Sequence, residues 1–199
     1  MLAVPFPSKE HLKRMLTQRI GIFGSAFNPP HRGHEDVIRQ AADVMDLIIV
    51  VPNYRHAFGK QMAIFEHRLA MTKAMALGLP QKERVLVSDI EQKIFESRST
   101  EKPVYTFDLL CALEVEHPEA QLNFIVGPDN ANPSTWDTFY RSQDILDRWS
   151  IWAAKENINI RSTHIRKKLT EGGFPTKDEC APAVIDLLPS IYPEIKSPS

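Results

Sequence analysis

Two imidazoles three residues apart, His31 and His34, stand in the segment Gly24-Ser25-Ala26-Phe27-Asn28-Pro29-Pro30-His31-Arg32-Gly33-His34, between an apolar run and an amphipathic one. Imidazole titrates near neutrality, so beside a polyphosphate either ring can carry a proton and stabilise charge building on phosphoryl oxygens. The amides of the loop and the free N–H groups of a helix start add an anion site, and Gly33 lets the backbone approach a ligand. A metal pair is a competing use of His-x-x-His, with Glu35 and Asp36 adjacent, although no third ligand is evident. Two unrelated surface histidines are the plainest alternative. Near the other end, Asn157-Ile158-Asn159-Ile160-Arg161-Ser162-Thr163-His164-Ile165-Arg166 repeats the physical idea. Ser162 or Thr163 is a good N-cap and Arg166 lies one turn inside the helix. A hydroxyl, free amides and a guanidinium converging there suit the terminal phosphates of a nucleoside triphosphate. An ordinary capped helix with cations on its wet face fits the same residues.

The elements that must hold these groups follow from periodicity. Arg19-Ile20-Gly21-Ile22-Phe23 is a short apolar run ended by turn residues, and a helix begins near His34 with Val37, Ile38, Ala41, Ala42 and Met45 at helical spacing. Leu47 to Val51 is a continuous run of the kind a strand buried on both faces requires. Further strands are expected at 85–87, 122–126 and 150–154, with helices near 63–78, 106–116, 134–147 and 163–171. In the first of these helices Ala70, Ala74 and Leu77 share a face. Thr106 is expected to cap the second, with Leu109, Leu110 and Leu113 in the core, and Asn132-Pro133 opens the third. The Gly172-Gly173 pair stops the last. Such alternation predicts an α/β fold, a Rossmann-like doubly wound parallel sheet of five to six strands with flanking helices, binding ligands beyond the strands' carboxyl ends.

Composition agrees with a globular enzyme domain. The 199 residues are 43% hydrophobic and 25% charged, ample for one core. Twenty-four basic against 25 acidic residues exert no general pull toward nucleic acid, so the positive charge that matters is expected at the phosphate site. Cys111 and Cys180 lie far apart, which suggests reduced thiols and a cytoplasmic setting. Residues 1–18 carry no apolar stretch and are expected to be an N-terminal extension, neither signal peptide nor membrane span, in which Leu12, Met15 and Leu16 form either a docking helix or a frayed end. One domain is expected over 19–192, and 193–199 reads as a tail. A homo-oligomer is left open.

Taken together, these segments resemble the nicotinate and nicotinamide mononucleotide adenylyltransferases, members of the nucleotidyltransferase superfamily marked by [His/Thr]-x-Gly-His, here His31-Arg32-Gly33-His34. The family's Gly-x-Phe-[Asp/Asn]-Pro lead-in appears as Ser25-Ala26-Phe27-Asn28-Pro29. Its Tyr-Thr before a helix appears as Tyr105-Thr106, its Gly-x-Asp as Gly127-Pro128-Asp129, and a Trp follows at Trp136. Its closing Ser-[Ser/Ala]-Thr-x-Ile-Arg pattern appears as Arg161-Ser162-Thr163-His164-Ile165-Arg166. The resemblance runs over residues 19 to 192 and implies the nucleotidylyl transferase fold. It implies transfer of AMP from ATP to a pyridine mononucleotide, by in-line attack of the mononucleotide phosphate and without a covalent intermediate. His31, His34 and Arg166 would then be catalytic, with His34 at the α-phosphate. Gly24, Ser25, Ala26, Phe27, Gly33, Gly127, Asp129, Ile160, Ser162 and Thr163 would bind ATP, Asp129 through its ribose. Mg²⁺ would come with ATP, bridging phosphate oxygens and keeping several waters, with no metal site of the protein's own.

For the mononucleotide, Trp136 would stack on the pyridinium ring, unless it anchors its helix in the core. Tyr105 and Thr106 would meet the ring's carboxylate or amide. Asn53, Arg55, His56 and Lys60 stand where the bacterial nicotinate enzymes carry Pro-Pro-His-[Lys/Arg], so basic residues survive with altered geometry. Arg68 matches the family's Arg on the next helix; a surface Arg pairing with Glu66 fits equally. Pantetheine-phosphate adenylyltransferase shares the signature but usually begins it with Thr and lacks the Tyr-Thr and Trp combination. A class I aminoacyl-tRNA synthetase would need an anticodon domain and a basic face. A nucleotide-binding module without turnover would tolerate loss of His31, His34 or Arg166, all of which are present.

Overall fold

In the computed structural model, which describes residues 17–55 and 62–192, each apolar run becomes a strand and all strands are parallel. These are β1 (Arg19–Ser25), β2 (Leu47–Pro52), β3 (Val85–Val87), β4 (Gln121–Val126) and β5 (Ser150–Ala153), ordered β3-β2-β1-β4-β5 in one sheet. The chain thus winds outward to β3, then crosses back to lay β4 on the other side of β1. The switch point falls between β1 and β4, where a parallel α/β sheet opens a crevice at its carboxyl edge. His56, Lys60, Leu12, Met15 and Leu16 lie outside the described residues, as do 193–199.

Alternation along the strands divides the core in two. Ile48 and Val50 of β2, with Phe23 and Ile125, face Val37, Ile38 and Ala41 of α1 (Arg32–Ala42) and Met71 and Met75 of α2 (Phe65–Leu77). Ile49 and Val51, with Ile20, Ile22, Leu122, Phe124 and Val126, face the other side. Their partners include Ile90 of α3 (Ile90–Glu96) and Leu109, Leu110 and Leu113 of α4 (Thr106–Glu116). Burying one such aliphatic side chain contributes about 1.5–3 kcal/mol, so a strand buried on both faces is fixed in register.

Several local expectations need correction. On α2 the buried face is Phe65, Arg68, Met71, Thr72, Met75 and Ala76, whereas Leu77 is 72% exposed and Ala70 is also exposed. The inward-facing Arg68 disguised the stripe. Its guanidinium is 1% exposed yet satisfied by the carbonyls of Ala63 (2.8 Å), Ala26 (2.9 Å) and Tyr54 (3.3 Å). It is thus a buried brace for three loops, not a surface partner of Glu66. Thr106 is the first residue of α4, not its cap; Tyr105 is the N-cap, and Asp108 Oδ2 accepts the Tyr105 N–H at 3.2 Å. The expected helix over 134–147 is broken into α5 (Pro133–Trp136) and α6 (Ser142–Arg148). Between them Arg141 adopts a left-handed φ of 57° and lays its guanidinium 3.8 Å over the Phe107 ring. The helix α7 (Ser162–Thr170) has Arg161, not Ser162 or Thr163, as N-cap, and its C-cap Glu171 is followed by Gly172, whose φ of +80° suits a residue without a Cβ. Two further short helices, α8 (Pro182–Ile185) and α9 (Leu188–Ile191), pack against the α1–α2 side.

Candidate active site

At the carboxyl end of β1 the backbone turns sharply through Phe27, whose φ is 46° and whose ring is fully buried, and the Asn28-Pro29 peptide is cis. His31 is the N-cap of α1, placing His34 one turn on. The two imidazoles lie 3.8 Å apart between centroids, tilted by 36°. The His31 backbone N–H donates to His34 Nδ1 at 3.2 Å, so the neutral His34 ring carries its proton on Nε2, which lies 3.2 Å from Ser25 Oγ. Phe27 flanks His34 at 4.7 Å, and His31 Nδ1 is buried with no partner among the described residues. A Cβ on Gly33 would stand 3.0 Å from the His31 ring and 3.3 Å from the Ile160 carbonyl. This glycine therefore admits the protein's own ring and loop as closely as any ligand.

Burial bears on the electrostatics of both rings. Burial, then the positive charge of Arg161, lowers His31 to about 3. Burial, then His31 and Arg161, holds His34 well below the ordinary imidazole range. Charging either ring without a counter-ion costs its desolvation, so both are neutral N–H donors at neutral pH where no anion faces them.

The C-terminal segment braces this turn from behind. Glu179 and Lys177 carbonyls accept from the Arg32 backbone N–H (2.8 Å) and Nε (2.9 Å), Cys180 Sγ meets the Pro30 carbonyl at 3.4 Å, and Tyr192 OH donates to Asn28 Oδ1 at 3.0 Å. From the front, Ser162 Oγ donates to the Pro29 carbonyl at 2.8 Å. Arg166 donates to the Asn28 carbonyl at 2.6 Å and to Thr163 Oγ1 at 3.3 Å. The signature turn and the start of α7 are thereby stitched into one wall.

A cavity of about 630 Å³ opens beside them, within the range of small-molecule sites. It gathers Gly24, Ser25, Ala26, His31, His34, Ser162, Thr163 and Arg166 on one side, and Asn53, Arg55, Tyr105 and Thr106 on the other. A smaller recess of about 110 Å³ adjoins it and takes in Gly33, Gly127 and Ile160. Phe27 acts from the core beneath. Asp129 lies in a 3-10 turn, Pro128–Asn130, after β4; its side chain is outside the described residues.

Trp136 does not line the cavity. It is stacked on Phe139 at 4.9 Å and packs on Phe124 at 6.2 Å, and Phe139 is the ring that faces the cavity, beside Tyr140. Arg55 pairs with Glu101 at 2.5 Å and lies 4.2 Å over Phe95. Glu91 and Arg161, neither singled out from the sequence, also line the cavity. Glu91 is 2% exposed, accepts from Asn53 Nδ2 (2.9 Å) and the Tyr54 N–H (2.8 Å), and is pushed up to about 7 by burial against the counter-pull of those donors and Arg68. Its signal in the sequence was its place just past β3, at the ligand-binding edge. That of Arg161 was adjacency to Ser162. Among the described residues no group of three or more His, Cys, Asp or Glu could hold a metal ion, and no helix is long and apolar enough to cross a membrane.

Comparison with known proteins gives the same architecture. The cytidylyltransferase-like family model matches residues 22–168. A Myxococcus xanthus protein assigned as a nicotinate-nucleotide adenylyltransferase is 31% identical over 175 residues, covering 79% of this chain and 85% of that one. A crystal structure from Vibrio parahaemolyticus with the same assignment superposes with a TM-score of 0.70 at 33% identity, over 86% of this chain and 99% of that one. At 20% identity, the Plasmodium falciparum nicotinic acid mononucleotide adenylyltransferase complexed with NaAD shares the fold with a TM-score of 0.64, over 87% of this chain and 95% of that one.

Proposed function

The chain belongs to the cytidylyltransferase-like family and within it to the nicotinate-nucleotide adenylyltransferases, and from that premise we propose that it transfers AMP from ATP to nicotinate mononucleotide. The products are the dinucleotide, on the route to NAD, and pyrophosphate. One observation carries the assignment of roles: the His31–His34 pair and the Ser162, Thr163 and Arg166 cluster face a single cavity at the carboxyl end of β1.

The mononucleotide phosphate oxygen attacks the α-phosphorus of ATP in line. A P–O bond forms to the acceptor, the bond from the α-phosphorus to the bridging oxygen breaks, and pyrophosphate leaves with that electron pair. The attacking oxygen is already anionic, so no side chain need deprotonate it, and catalysis is alignment and charge stabilisation. His34 Nε2–H exchanges Ser25 Oγ for an α-phosphate oxygen, and its pKa rises as the negative charge arrives. Ser162, Thr163 and Arg166 hold the departing groups. Mg²⁺, as part of the ATP substrate, would supply neutralisation of the phosphate charge. Glu91, fixing Asn53 and Tyr54, sets the shape of the acceptor side.

The test is pyrophosphate release with ATP and Mg²⁺, comparing nicotinate mononucleotide, nicotinamide mononucleotide and phosphopantetheine. Fastest turnover with nicotinate mononucleotide is expected; silence with both pyridine nucleotides would overturn the proposal.

A further inference from the structure

A polyphosphate needs more positive charge than two buried imidazoles supply. Among the described residues that line the main cavity the cations are Arg55, Arg161 and Arg166. Arg55 stands on the acceptor side, engaged by Glu101 and the Phe95 ring. Arg166 donates to the Asn28 carbonyl and to Thr163 Oγ1, at the start of α7, where the departing phosphates are proposed to lie. Arg161 lines both the main cavity and the adjoining recess, and its charge bears directly on both signature histidines. Its Nη1 donates to the Ile160 carbonyl at 3.3 Å, the carbonyl that lies against Gly33, so the guanidinium sits over the signature turn.

Its Nη2 pairs with Glu156, at side-chain exposures of 30% and 41%. A half-exposed ion pair of this kind contributes little to stability. A guanidinium also offers a phosphate two parallel N–H donors, which neither a hydroxyl nor a neutral imidazole can match.

We propose that Arg161 is a triphosphate-binding residue, its guanidinium leaving Glu156 for ATP phosphate oxygens between His34 and the Ser162–Thr163 hydroxyls. The identity of the ligand rests on the AMP-transfer reading. Isothermal titration with ATP and Mg²⁺, without acceptor, tests it on the full chain, with adenosine titrated in parallel. R161S is expected to weaken ATP tenfold or more and adenosine by less than twofold, and R161K to recover part of the loss. ATP affinity within twofold of the unsubstituted protein, or equal loss for ATP and adenosine, would overturn the proposal. Thermal melting checks folding, and R161K carries the comparison if R161S does not fold. Binding of ATP without pyrophosphate release from any pyridine mononucleotide would defeat the functional reading while leaving Arg161 to be decided by affinity. Failure of the unsubstituted protein to bind ATP would overturn both.

Discussion

The two walls of the cavity are built on different principles. The wall proposed for ATP is one contiguous turn, from Gly24 to His34, tied by side-chain hydrogen bonds of Ser162 and Arg166 in front and of Arg32, Cys180 and Tyr192 behind. The wall proposed for the acceptor is side chains from distant segments, with Glu91 of α3 holding Asn53 and Tyr54, Phe139 stacked on Trp136, and Tyr105 at 4.7 Å from Tyr140. A phosphate site needs amides and donors in one place, which a short contiguous motif supplies. A planar ring needs surfaces that only tertiary packing brings together.

Breaking the ATP wall should cost most. His34→Ala is expected to lower kcat by about two to three orders of magnitude, the range for losing one preorganised donor at a reacting centre, with KM for the mononucleotide little changed. Steady-state pyrophosphate release with a melting curve checks it; near-normal turnover would remove His34 from the chemistry.

The walls also titrate in opposite directions. The folded value of His31 is about 3 against 6.5 unfolded, so the unfolded chain gains a proton first as pH falls from 7 to 5, and the folded state loses about 2 kcal/mol. For Glu91 the folded value is about 7 against 4.5, so the folded chain takes up the proton first and gains about the same over that interval. Glu91→Gln removes the compensating gain, and its melting temperature should fall by about 4 to 8 °C more than that of the unsubstituted protein between pH 7 and 5. Parallel melting curves for the two proteins across that interval would sink the idea.

Legibility in the sequence followed the same division. β1, β2, β4 and the start of α1 were readable because uninterrupted apolar runs and turn residues act locally. The residues proposed for ATP could be picked out because they are contiguous in the chain. What escaped was decided at long range. Arg68 occupies an apolar stripe because carbonyls from three loops satisfy it, and Glu91 is a site residue because Asn53 and Tyr54 reach it across 38 and 37 positions. The break at Arg141 depends on the Phe107 ring beneath its guanidinium. Both histidines line the cavity at the end of β1, and their burial, which lowers the pKa of both, is a property of the fold that local sequence does not carry.

The acceptor wall allows a finer test, because sequence and structure point to neighbouring rings. With Trp136 behind Phe139, Phe139→Ala removes the surface that faces the cavity, and a stacking loss of this kind raises KM for the mononucleotide about tenfold while leaving KM for ATP within twofold. Trp136→Phe keeps an aromatic support and should move that KM less than threefold, its effect appearing in the melting temperature instead. The reverse ordering would mean that the segment from Pro133 to Arg141 repacks around the acceptor, exchanging the two rings. Trp136 Nε1, buried without a partner among the described residues, would be the group released by that exchange. Measuring both KM values for both variants therefore separates a preformed ring site from one assembled by the substrate.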